Sequence, residues 1–344
     1  MSDNILSLIY TFSKKFSDPK SKLAFDPVNK NISALINNGN VNVFLKVFDG
    51  NIGAYKDIIR LMKKNIESIP GVIRVNIALT SDKAQKNPDK KFSINAKNII
   101  AVASGKGGVG KSTFSVNLSV ALKLIGLKVG LLDADIYGPS IPRMMNISKK
   151  PEMNENKKLV PIENFGIKCM SIGFILNNEE PTIWRGPMIM KALEQMFNGV
   201  EWGDLDYLII DLPPGTGDAQ LTLAQNAKLS GSIVISTPQE IALTDARKGI
   251  RMFNKVDVEI LGIVENMSYF LCNNCNEKHF IFSKDGVEKE AQKFKIPFLG
   301  SIPIDKTLRK QSDDGTPICF EDPNSNISKI FQTIANNINL KLNN

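Results

Sequence analysis

Gly105-Lys106-Gly107-Gly108-Val109-Gly110-Lys111-Ser112-Thr113 is the stretch that decides the fold. Residues 105–112 fit G-x-x-x-x-G-K-[ST], placed after an apolar strand (Ile99–Ala103) and opening into a helical pattern (Ser112–Leu124), the context this motif requires. Glycines let successive backbone N–H groups curl around phosphate oxygens with no Cβ in the way. The helix that follows adds the positive end of its dipole. Lys111 is placed to reach the β- and γ-phosphates of ATP, and the Ser112 hydroxyl to ligate Mg²⁺. The expected cradle is Gly105, Lys106, Gly107, Gly108, Val109, Gly110, Lys111, Ser112 and Thr113. Lys106, five residues before Lys111, adds a second positive charge where phosphates would sit.

Two acidic strand ends lie downstream. The strand Tyr207–Ile210 runs into Asp211 and then Pro213-Pro214-Gly215-Thr216-Gly217, so Asp211 is expected to hold Mg²⁺ through water beside a loop that senses the γ-phosphate. The strand Leu127–Leu132 ends in Asp133-Ala134-Asp135, and Asp135 is expected to orient the attacking water. A helix cap or turn residue is the plainer alternative for each aspartate.

Further out, short apolar runs (Ile233–Ile235, Ile260–Val264, Phe298–Ile302) alternate with helical patterns (Met188–Phe197, Ala219–Leu229, Ala242–Phe253). Strands apolar on both faces and separated by helices predict an α/β domain, a mostly parallel sheet with helices on both faces, with ligands at the carboxyl ends of its strands. Residues 1–80 read as a separate small α+β unit: helices near Ser2–Phe16 and Ile52–Ile69, strands at Val41–Phe48 and Val72–Leu79. The lysine-rich, proline-broken segment 81–97 reads as a linker, and 98–344 as the P-loop ATPase domain.

Composition narrows the class. With 42% hydrophobic and 23% charged residues the chain is of ordinary globular type, and no apolar run reaches the roughly 18 residues of a membrane span. Met1-Ser2-Asp3-Asn4 does not begin a signal peptide, so a cytoplasmic protein is expected. The net charge of +8 sits largely in lysine runs at Lys83–Lys91 and Lys149–Lys158, read as solvated loops rather than a specific nucleic-acid surface.

The segments GKGGVGKST, LLDADIYGPSIP, IWRGPM, WGDLDYLIIDLPPGTGDAQLTL, STPQEIALTDARKGI and LGIVENMSYFLCNNC together resemble the Mrp/ApbC family of iron–sulfur cluster carrier ATPases, over roughly residues 98–320. The resemblance implies a deviant P-loop ATPase that works as a homodimer, with Lys106 reaching the partner's nucleotide and adenine contacts around Asn266. It also implies partners: a cluster donor and iron–sulfur apoproteins.

Cys272-Asn273-Asn274-Cys275 then takes on meaning. One chain offers two thiolates where a [4Fe–4S] cluster or a structural zinc needs four ligands. Two copies about a two-fold axis supply four, as the family resemblance also implies. A zinc knuckle completed by His279 and another residue, or a redox dithiol, are the competing readings, with His279 otherwise a plain loop residue. Cys169 and Cys319 read as buried small hydrophobes. Residues 1–80 look like a degenerate iron–sulfur assembly domain, because Phe48–Tyr55 lacks the cysteine such domains often carry. The competing whole-protein reading is a partition or septum-site type of ATPase. Its basic membrane helix is not evident in the C-terminal Ile327, Ile330, Phe331, Ile334, Ile338 stripe, which reads as a packed helix.

Overall fold

The computed structural model describes residues 2–19, 21–37, 39–47, 55–81, 92, 94–174, 186–272 and 274–343. Outside this range fall residues 48–54 of the cysteine-free segment, most of the expected linker, and 183–185 of the Ile183–Met188 segment. The chain divides into two compact units, Met1–Asp89 and Lys90–Asn344.

The small unit contains α1 (Ser2–Ser13), β1 (Ile32–Asn37), β2 (Asn40–Val47), α2 (Lys56–Glu67) and β3 (Arg74–Ser81). β1 and β2 pair antiparallel and β2 and β3 parallel, with α2 as the crossover. Val41, Val43, Leu45 and Val47 alternate into the core, the period of two that one covered sheet face demands. They bury there with Met62 and Ile66 of α2 and Ile9 of α1. β1 is a strand that the sequence reading did not mark.

The larger unit opens with β4 (Ala96–Ser104) and α3 (Lys111–Leu124), then β5 (Val129–Asp133), α4 (Ile141–Met144), β6 (Ile162–Asn164) and β7 (Ile167–Ser171). There follow α5 (Gly186–Asn198), β8 (Leu205–Asp211), α6 (Asp218–Asn226), β9 (Gly231–Ser236), α7 (Glu240–Lys255) and β10 (Ile260–Glu265). A small hairpin, β11 (Phe270–Leu271) with β12 (Lys278–His279), precedes α8 (Gly286–Phe294), β13 (Phe298–Ser301), α9 (Lys306–Asp314), α10 (Ile318–Glu321) and α11 (Asn326–Asn343). The eight-stranded sheet has the order β13-β10-β9-β4-β8-β5-β7-β6 and is parallel except where β6 runs against β7.

Central strands are apolar on both faces because helices cover both. Ile100, Val102, Leu208, Ile210, Ile233 and Ile235 are all buried, each worth about 1.5–3 kcal/mol relative to exposure. One helix group is α3 with α4, α9, α10 and α11; the other is α5, α6, α7 and α8. Phe114 of α3 meets Phe331 of α11 with ring centroids 5.8 Å apart, and Ile327, Phe331, Ile334 and Ile338 are buried as the stripe predicted. Phe92, which the linker reading assigned to the connection, pairs with Ala227 and stacks on Phe197 at 4.6 Å. The larger unit therefore starts earlier than the apolar rhythm at Asn98 suggested.

Candidate nucleotide site and cysteine hairpin

β4, β8 and β5 lie side by side, so their carboxyl ends present three loops to one spot. Register pairs Val102 with Asp211 and Asp211 with Asp133, setting the two aspartates side by side at the ends of their strands. The glycine-rich loop leaves β4 beside them. Gly108 and Gly110 take φ of +79° and +86°, which L side chains rarely adopt. A Cβ on Gly110 would also run into Nδ2 of Asn266, and one on Gly105 into the backbone of Asp245. No side chain caps the N-terminus of α3, whose first N–H groups face a cavity of about 190 Å³ lined by Gly107, Gly108, Gly110, Lys111, Ser112, Thr113 and Asp135. This is the arrangement a helix N-terminus needs to accept phosphate.

Lys111 does not stand free in that cavity. Its Nζ lies 2.8 Å from Asp211 Oδ2 and 3.8 Å from Asp135 Oδ2. Asp211 is fully buried and also accepts hydrogen bonds from Ser112 Oγ (2.6 Å) and Ser115 Oγ (2.7 Å). Ser115 follows Ser112 by three residues on one helix face, a spacing that could have flagged it. Asp133, behind these groups, accepts from the backbone N–H of Asp135 and Ile141 and from Ser171 Oγ. It thereby fixes the loop that carries Asp135. Burial, reinforced by the charge of Asp211 and opposed by Lys111, pushes the Asp133 carboxyl up to about 7. Burial also raises Asp135, while Lys111 pulls it down. Asp135 Oδ1 is buried without a hydrogen-bond partner. An oriented acceptor left open in a polar cavity suits a water or a hydrated cation, so the donor set fits Mg²⁺-nucleotide.

The remaining expected residues divide. Asn266 is buried at the end of β10 and donates from Nδ2 to the carbonyl of Val109 at 2.8 Å, bracing the loop from below. Val109 itself is buried. Lys106 is half-buried, its carbonyl accepting from Ser104 Oγ, and it is not among the residues lining the cavity of its own chain. The Pro213–Gly217 loop is tied down at Gly215, whose N–H donates to the carbonyl of Ser104 (3.0 Å).

The Cys pair sits where β11 turns into β12, a hairpin rather than the plain polar loop expected. Cys272 N–H donates to the Glu277 carbonyl and Asn276 N–H to the Cys272 carbonyl, with Asn276 left-handed at φ +56°. Backbone N–H groups of Cys275 and Asn274, with the Cys275 side chain, hold the Cys272 thiol below its ordinary pKa. Cys275 is exposed and Cys272 half-buried. Register sets Phe270 opposite His279, and the ligand atoms of Cys272, Cys275 and His279 all lie within 4.8 Å of one another. His279 is thus not a plain loop residue: the hairpin register, invisible in spacing alone, folds it back on the pair. Cys169 and Cys319 are buried, with burial driving both thiols up, Cys319 to about 12, so neither competes for metal.

Known proteins bear on this geometry. The ParA family model described as the NUBPL iron-transfer P-loop NTPase matches residues 95–339. A mitochondrial iron–sulfur protein required for NADH dehydrogenase, of Arabidopsis thaliana, is 55% identical over 243 residues, 70% of this chain and 78% of its own. An iron–sulfur cluster carrier protein of Aquifex aeolicus is 41% identical over 333 residues, 90% of this chain and 92% of its own. A solved nucleotide-binding protein of Archaeoglobus fulgidus in complex with ADP, with Co found in it, is 42% identical at a TM-score of 0.60, covering 69% of this chain and 93% of that one. The family read from the motif segments and the α/β P-loop fold are both upheld. The chain belongs to the iron-transfer P-loop NTPases of the ParA/NUBPL family.

Proposed function

We propose that this protein binds and hydrolyses ATP with Mg²⁺ and carries a labile [4Fe–4S] cluster, which it receives from a donor and passes to apoproteins. One observation carries the reading: Asn266 braces the phosphate loop at Val109, and only six residues later the same segment delivers Cys272 to the exposed hairpin. The side chain that braces the nucleotide loop and the thiols are therefore two ends of one short stretch. In this reading Gly107 to Thr113 enclose the phosphates and the triphosphate draws Lys111 away from Asp211. Mg²⁺, held by Ser112 and through water by Asp211, would neutralise phosphate charge, while Asp135 orients the attacking water.

The cluster is cargo, held by Cys272 and Cys275 of two chains in a homodimer, with Lys106 turned toward the partner's nucleotide. The α11 stripe is buried against its own domain, which favours the carrier over an organiser that cycles on membranes through a free amphipathic helix.

Anaerobic cluster reconstitution tests this reading. Cys275→Ala should lose its iron and its cluster absorbance while retaining ATP hydrolysis; iron content equal to wild type would overturn it.

A further inference from the structure

We propose that a single chain holds one mononuclear divalent transition ion of the zinc class through Cys272, Cys275 and His279. This site uses the same two thiols as the cluster but needs neither a cluster nor a second chain. The three donors come from one ten-residue hairpin, and their ligand atoms already lie within 4.8 Å of one another. Around a tetrahedral zinc ion with bonds of about 2.0–2.3 Å, donors stand about 3.3–3.8 Å apart. Closure by about 1 Å is within reach of χ rotations, because Cys275 and His279 are exposed and Cys272 only half-buried.

The β11–β12 register holds His279 across from Phe270, and the Cys272 N–H to Glu277 carbonyl bond closes the turn. Two thiolates and a neutral imidazole form the borderline-soft set that selects zinc over calcium or magnesium. Three protein ligands leave a fourth position open, as in zinc sites that keep an exchangeable ligand. Loading releases two protons, one from each thiol, and changes no oxidation state. The hairpin is then either a one-chain zinc site or half of a two-chain, four-thiolate site, and occupancy of the first excludes the second.

Cobalt(II) titration of the full-length apo-protein tests this, with sulfur-to-cobalt charge transfer and ligand-field bands as readout and sedimentation to report the molecular state. Wild type should bind one cobalt per chain as a monomer, with the intense ligand-field bands of four-coordination. His279→Ala should bind at least about tenfold more weakly. His279→Cys should restore binding and add charge-transfer intensity from a third thiolate, which a merely structural histidine would not yield. Cobalt at one per two chains, or unchanged affinity and spectrum in His279→Ala, would overturn the proposal. Reconstituting [4Fe–4S] in His279→Ala separates the two readings. Weakened cobalt with a full cluster supports the mononuclear site and leaves the carrier reading standing, whereas unchanged cobalt with no cluster overturns the mononuclear site alone.

Discussion

Replacing Lys111 by Met tests the electrostatic heart of the nucleotide site before any nucleotide is added. Lys111 is 6% exposed and Asp211 0%, with 2.8 Å between Nζ and Oδ2. At an effective dielectric constant of about 20, that separation corresponds to a gross attraction of about 6 kcal/mol. Desolvation of both ions offsets part of it, and removing one member of a buried pair typically costs about 3–5 kcal/mol. Two hydroxyl donors, Ser112 and Ser115, stay on the abandoned carboxylate, so the cost should fall near the lower end, about 3 kcal/mol. The double variant Lys111→Met with Asp211→Asn leaves no such unpaired charge and should recover about 2 kcal/mol of that loss. Urea unfolding without nucleotide, followed by tryptophan fluorescence, is the assay. Both tryptophans, Trp184 and Trp202, belong to the larger unit, so the signal reports that unit alone. A Lys111→Met protein within about 0.5 kcal/mol of wild type, or a double variant that loses the sum of the single losses, would refute the reasoning.

Three further outcomes follow from the same geometry. Because burial lifts the Asp133 carboxyl to about 7, the native state binds more protons than the unfolded chain between pH 4 and 7; stability should therefore fall as pH rises through that window and level off above it. Asp133→Asn should flatten this slope in urea midpoints measured from pH 4.5 to 8, and an unchanged slope would assign it elsewhere. Gly110→Ala forces a left-handed φ on alanine and drives its Cβ into Asn266, so it should cost at least about 1 kcal/mol and weaken ADP binding by calorimetry at least about tenfold; wild-type affinity would contradict the cradle. Asp135→Asn should keep nucleotide affinity yet slow hydrolysis about 100-fold or more, and full turnover would remove Asp135 from the reaction.

How far the residues alone revealed this molecule depended on whether the signal was local. The cradle was legible because glycine spacing, the following helix and the preceding apolar strand all lie within 26 consecutive residues. Asp211 was legible as the residue that ends an apolar run. Pairings across the sheet were not: that Asp211 sits beside Asp133, with Ser115 beneath it, depends on β8 inserting between β4 and β5. The edge strand β6 and the outer strand β1 carry too few alternating residues to stand out. His279 was legible as a candidate zinc ligand beside the pair but not as a strand residue, since the three residues between Cys275 and His279 say nothing about which face of a hairpin a ring will occupy. Phe92 hid inside a lysine-rich stretch, although its stack on Phe197 makes it part of the core.

In the proposed reading, iron is held at a seam between two copies, each bringing Cys272 and Cys275. Native mass spectrometry of the anaerobically reconstituted protein measures this directly, because it weighs the chains and the inorganic atoms in one particle. A dimer carrying four iron and four sulfide ions, and apo monomers alongside it, is the expected spectrum. A monomer carrying the complete four-iron cluster would contradict it.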